Sequence, residues 1–242
     1  MTGKGPDAPA SAEVHRLERH ANRMDLVARW ADDLAHEIKN PLHAMVINLE
    51  LVKRRAGSGE ARPAIQRAEV VENELHRVHD LVDSLLRMVR PWPPDRMCDP
   101  DRIFEQLLPV LGARTRVRRV DYEHHPGAGV VALAPGDLAQ VLLNLVDNAI
   151  EACAEGGRVV TTCEMGREAV TITVEDDGAG IPDDVVSAPD LRPPHPRPGR
   201  SGLGLAVSAR LLRAAGGDLE FRSGAGGRGT MAVASIPRFG SA

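Results

Sequence analysis

The chain has 242 residues, of which 43% are hydrophobic and 26% charged, which suits one or two folded domains and excludes disorder throughout. A net charge of −4 offers no global basic field to a nucleic acid. Aromatic residues make up 2% (Trp30, Trp92, Phe104, Tyr122, Phe221 and Phe239), too few for a base- or sugar-stacking platform, so the core has to be aliphatic.

Met1 to Ser11 carries one lysine and no apolar stretch, so it is no signal peptide and reads as a short disordered tail, 1–11. From Ala12 to Arg55 there is no glycine, and Pro41 is the single proline. Leu17, Ala21, Met24, Ala28, Ala31, Ala35, Ile38, Leu42, Met45, Leu49 and Val52 follow four-three steps, and all are apolar. That 3.5-residue seam predicts a long helix of a coiled coil or bundle. Ala64, Ala68, Val71, Leu75, Val78, Val82, Leu85 and Val89 repeat the pattern after Gly57-Ser58-Gly59, and Pro91, Pro93 and Pro94 end it. The prediction is an antiparallel helical hairpin over 12–90. Its wide apolar face would be covered by a second copy in a homodimeric four-helix bundle, with packing against the C-terminal half as the alternative.

After Pro94 the pattern turns mixed. Asp99 to Arg114 reads as a helix, and Val117–Glu123 and Val130–Leu133 read as strands around Pro126-Gly127. Asp137 to Ala154 is a strongly apolar helix. Arg158–Glu164 and Ala169–Glu175 alternate as strands, and Gly178 to Ser201 is rich in Gly and Pro. Gly202 to Ala215 is a helix, followed by strands Asp218–Arg222 and Thr230–Ile236. The expected class is α+β: the hairpin, then an α/β sandwich over 98–238. Cys98, Cys153 and Cys163 form no CxxC pair, which excludes a disulfide scaffold and points to a reducing compartment. No apolar run approaches the ~20 residues of a membrane span, so a cytoplasmic protein is expected.

Four segments could carry chemistry. His36 follows the seam residue Ala35 and so points off the seam. Asn40 lies on the same helical face, Glu37 stands beside it, and Pro41 should kink the helix just beyond. An imidazole with a neighbouring carboxylate suits a nucleophile, although a surface histidine on a helix commonly has no role. Asn144 and Asn148 share one face of an apolar helix. They could hold a hard cation through oxygen, or tie up neighbouring backbone. Asp176-Asp177-Gly178-Ala179-Gly180 ends a strand. Its carboxylate could accept from an exocyclic amine, with glycines admitting a flat ligand, or the segment is a tight turn. Gly202-Leu203-Gly204 opens a helix whose free N–H groups suit phosphate. No strand immediately precedes it, which argues against a dinucleotide fingerprint.

In this order the four segments resemble the sensor histidine kinase family over about residues 13–238. His36 to Pro41 resembles its H box, Asn144 to Asn148 its N box, and Asp176 to Gly180 and Ser201 to Leu205 its two glycine boxes. The resemblance implies a dimeric phosphoacceptor hairpin and an ATP-binding domain of GHKL type. It implies that His36 accepts the γ-phosphoryl group of ATP, with Glu37 assisting proton removal and Asn40 positioning phosphate or water. Asn148 would coordinate Mg²⁺ with Asn144 assisting. Asp176 would bind the adenine amino group, Gly178 and Gly180 would shape its pocket, and Gly202 and Gly204 would line the phosphate side. The phosphoryl group would pass to an aspartate of a separate response regulator, for which the protein would also act as phosphatase. The alternative is a dimeric phosphotransfer or docking scaffold with a degenerate domain that binds no ATP.

Two departures from the family pattern stand out. Residues 183–201, the ATP lid, contain no aromatic and five prolines between Pro189 and Pro198, leaving Arg197 or Arg200 as phosphate contacts. Glu151 stands where relatives carry a basic or aromatic residue, so it should face away from the triphosphate. With about a dozen residues ahead of the hairpin, a signal is expected to arrive through a separate sensor or input protein, unless the chain is a fragment.

Overall fold

The structure is a computed structural model that describes residues 8–57, 61–89, 95–127, 129–180, 204–224 and 227–239. Helix α1 spans Ala8–Gly57 and α2 spans Ala61–Val89. The first four residues of α1, Ala8 to Ser11, belong to the segment that the sequence leaves in its tail. The expected turn at 57–59 lies mostly outside the described residues. Helix α1 continues through Pro41, which is buried. Arg67 on α2 donates to Asn48 on α1 at 3.1 Å, marking the face along which the two helices pack.

Much of the apolar seam of α1 does not meet the rest of the chain. Leu17, Met24, Leu42 and Leu49 stay exposed, as do Leu75 and Val82 on α2. On one helical face of α1, at steps of four, Asn22, Leu26 and Trp30 are buried to 0–1% exposure. They pack against the C-terminal half, with Val27 and Ile38 at the margin of the same apolar cluster. Packing against the C-terminal half, the alternative for the hairpin, is thus met on one face of α1, while Leu17, Met24, Leu42 and Leu49 leave an apolar stripe exposed.

The second unit begins with α3, Pro100–Arg118. Asp99 caps it by accepting from the Asp101 amide at 3.0 Å, and Pro100 fits the first turn, where no N–H is needed. Helix α3 runs past the expected end at Arg114, so Val117 and Arg118 are helical rather than extended. Arg119 stops it in the left-handed region (φ 53°), and the Val120 amide closes on Thr115 O at 2.9 Å. The first strand, β1, is thereby displaced to Asp121–His125. Val130–Leu133 forms no strand. Only Val131 bridges, to Cys98 and Arg238.

Helix α4 (Pro135–Ala152), strands β2 (Arg158–Met165) and β3 (Ala169–Asp176), helix α5 (Gly204–Ala214), and strands β4 (Asp218–Ser223) and β5 (Thr230–Pro237) complete the unit. The sheet order is β1-β2-β3-β5-β4, with β1 parallel to β2 and the other pairs antiparallel. Alternation buries Val170, Ile172 and Val174 of β3 and Ala232, Ala234 and Ile236 of β5 beneath Leu142, Val146 and Leu212 of the helices. The result is the expected α+β chain, a helical hairpin followed by a two-layer sandwich with an aliphatic core. Among the described residues, no helix is long and apolar enough to cross a membrane.

Candidate active site

The period of β3 carries Asp176 to the same buried face as Val170, Ile172 and Val174, at the strand's end. There Asp176 Oδ1 accepts from the Gly178 amide at 2.9 Å and the Thr230 amide at 3.2 Å. Burial raises its carboxyl above the ordinary range, and the two backbone donors partly offset that rise. The surrounding backbone is closely spaced. A Cβ at Gly178 would stand 2.4 Å from the Ala152 carbonyl oxygen, and one at Gly229 would stand 1.8 Å from that of Asp176. Gly229 and Gly180 also have φ of +67° and +80°. Glycine is therefore required at 178 and 229 for the chain to close around this carboxylate. Asp177 turns the other way and accepts from the Arg158 amide at 2.8 Å. Burial, reinforced by these carboxylates, pushes the nearby Cys153 thiol up to about 12.

The Asn pair lies on α4, Asn144 at mid-helix and Asn148 one turn further on. Asn144 is 2% exposed and Asn148 is half-buried. The Asn144 amide donates to Gly204 O at 3.0 Å and Ser208 Oγ at 3.1 Å, tying α4 to the first turn of α5. Asn144 Oδ1 in turn accepts from Asn22 of α1 at 3.0 Å. One turn along α4, Asp147 Oδ1 accepts from the Trp30 indole at 2.8 Å and Arg114 Nε at 3.0 Å. Arg114 also pairs with Glu151 at 2.8 Å, which turns Glu151 toward α3. This buried charge group is internally matched, and removal of its arginine should cost about 3–5 kcal/mol.

Asp176, Gly178 and Gly180 come together at one end of the sandwich, and Asn144 and Gly204 meet at the α4–α5 junction. The donor chemistry of the Asn pair suits a hard cation, because carboxamide oxygens are ligands of the type that Mg²⁺ takes. His36 and Glu37 lie on helical backbone of α1, but their side chains are outside the described residues. Asn40 is exposed one turn beyond His36. Gly202, Arg197, Arg200 and the lid 183–201 are also outside the described residues. Sequence reasoning missed Gly229 and Thr230, whose Gly-rich turn was visible but whose place beside Asp176 needs the β3–β5 pairing. It also missed Asn22 and Trp30. Their one available signal was a tryptophan set beside a seam of small and aliphatic residues.

Residues 26–91 match the family described as the His Kinase A (phospho-acceptor) domain, and residues 134–239 match the histidine kinase-, DNA gyrase B- and HSP90-like ATPases. Sporulation kinase D of Bacillus subtilis is 24% identical over 232 residues, covering 93% of this chain and 44% of that protein. The C4-dicarboxylate transport sensor protein DctB of Rhizobium meliloti is 30% identical over 220 residues, covering 86% of this chain and 34% of that protein. The chain thus spans less than half the length of these relatives. A mycobacterial sensor histidine kinase, MprB, superposes with a TM-score of 0.50 at 23% identity, over 59% of this chain and 96% of that one, a likeness of fold.

Proposed function

The chain belongs to the sensor histidine kinase family, and from that premise we propose that it is an ATP-dependent autokinase that phosphorylates its own His36. The observation that carries this reading is Asp176. It is a buried carboxylate fixed by two backbone donors and ringed by obligatory glycines, in the same chain as a phosphoacceptor helix. Asp176 would accept from the adenine amino group, and Gly178 and Gly180 would let the ring approach. Asn148, with Asn144 behind it, would hold Mg²⁺, which when bound neutralises phosphate charge. Gly202 and Gly204 would line the phosphate side.

In the proposed step, a ring nitrogen of His36 attacks the γ-phosphorus. The N–P bond forms, the bond to the ADP oxygen breaks, and the ring proton passes to Glu37. Positioning and charge neutralisation supply most of the rate. The phosphoryl group then moves to an aspartate of a response regulator in trans. Asn40, exposed one turn beyond His36, would position phosphate or a water when the same protein acts as phosphatase.

The bare stripe of Leu17, Met24, Leu42, Leu49, Leu75 and Val82 supports a homodimer through the hairpin. The cytoplasm, with a separate input protein, is the setting that suits this chemistry. A scaffold unable to bind ATP is not favoured, because the Asp176 end retains its carboxylate and close-packed glycines. Incubation with γ-labelled ATP and Mg²⁺ tests the reading. An acid-labile, alkali-stable label that His36→Ala abolishes is expected, and an unlabelled wild-type protein overturns it.

A further inference from the structure

We propose that Asn22 of α1 is a positioning residue that competes for Asn144, so that docking of α1 restrains the phosphate side of the nucleotide site and undocking releases it. The proposal rests on the kinase reading and adds a residue that lies ahead of the matched phosphoacceptor region, 26–91.

A carboxamide has one oxygen. That of Asn144 accepts from Asn22 Nδ2 at 3.0 Å, and both side chains are sealed, at 2% and 0% exposure. While α1 is docked, neither a cation nor its water shell can reach this oxygen. The Asn144 amide meanwhile holds Gly204 O and Ser208 Oγ, and Ser208 Oγ donates to Gly204 O at 2.9 Å. The start of α5, at the second glycine box, is thus fixed by a side chain whose other end is in the grip of α1.

The interface that maintains this grip is suited to opening. Its apolar anchors are Leu26 and Trp30, with the Trp30 indole on Asp147. Around them, buried polar atoms go unmatched. Asn22 Oδ1, Gln140 Oε1 and Arg210 Nε and Nη2 have no hydrogen-bond partner among the described residues, although Arg210 Nη1 pairs with Glu18 of α1 at 2.5 Å and Gln140 Nε2 donates to Arg19 O at 3.1 Å. A cavity of about 20 Å³ lies beside Leu26, Leu107, Ala139, Gln140 and Leu143. Each unmatched atom regains hydration when α1 leaves, which sets hydrogen-bonding free energy against the apolar contact. Among the described residues, no such mismatch surrounds Asp176. The docking face at 22, 26 and 30 is also distinct from the bare seam at 17, 24, 42 and 49. A second copy could therefore shift α1 through the seam without entering the Trp30 socket.

The test is calorimetric titration of the full chain with Mg-ATP and, separately, with adenosine alone. Asn22→Ala should tighten Mg-ATP binding by roughly 5–20-fold, the usual span of such coupling, and leave adenosine affinity within about twofold. Trp30→Phe, which keeps the bulk and removes the indole donor, should move Mg-ATP binding in the same direction. An unchanged or weakened Mg-ATP affinity overturns the proposal, and so does a parallel change in adenosine, the mark of general loosening. Failure of Mg-ATP to bind any of the three proteins removes the kinase reading and this inference with it.

Discussion

The two ends of the proposed nucleotide site are made of different material. The Asp176 end is built from backbone: two amides, two glycines in positive φ, and carbonyls too close for any side chain to intervene. The Asn144 end is built from side chains, one of them lent by a helix of the other domain. Close-packed turns at the strand ends of a five-stranded sheet have little freedom to move, whereas a carboxamide chain moves whenever either helix does. On the proposed reading, one end is fitted to recognise a constant group, and the other to respond to a change.

The largest effect should come from forcing a side chain into the backbone end. Gly229→Ala meets both a φ of +67° and the Asp176 carbonyl, and should lower stability by about 2–4 kcal/mol in urea unfolding. If this variant melts like the parent, the backbone end is softer than described. Next comes Asp176→Asn, which keeps the shape and removes the charge. Adenosine binding should weaken by about 10–100-fold, since a hydrogen bond to a charged group is worth ~1.5–3 kcal/mol.

The pH dependence should run in opposite directions for binding and for folding. Because burial raises the Asp176 carboxyl in the folded chain, adenosine affinity should fall as pH drops through that raised value. The folded state binds this proton more tightly than the unfolded chain does. Its contribution to stability is thus fully present below the unfolded carboxyl value and is lost as pH rises through the folded one. Asp176→Asn should flatten both profiles. The smallest effect should be at Gly204, where an added Cβ meets Asn144 Oδ1 at an ordinary 3.4 Å. Gly204→Ala should change stability by no more than about 0.5 kcal/mol, and a large loss there would blur the distinction between the two ends.

Much of the fold could be read in the sequence because its signals are periodic. The four-three steps of α1 and α2 and the alternation of β3 each fix which side a residue faces, and the latter carries Asp176 into the core. The strand expected at Val117 failed because α3 runs on until Arg119 can cap it, and short β-branched runs after a helix do not announce where the helix stops. The junction of α1 with α4 was not legible for a different reason. Asn22 and Trp30 are far in sequence from their partners Asn144 and Asp147, and these pairings are a product of domain docking. The seam was legible only in part, since regular apolar spacing identifies a sticky face without saying which neighbour takes it.

The aromatic scarcity of the chain turns Trp30 into an optical instrument. Tryptophan emission can arise from two residues only, Trp30 and Trp92. With Trp92→Phe, one fluorophore remains, and it is the anchor of the α1–α4 junction, sealed at 0% exposure beside Arg114 and Asp147. Transfer of that indole into water would shift its emission to the red and open it to collisional quenchers. The docking of α1 could thus be followed in real time, without a label, as nucleotide, regulator or a second copy is added.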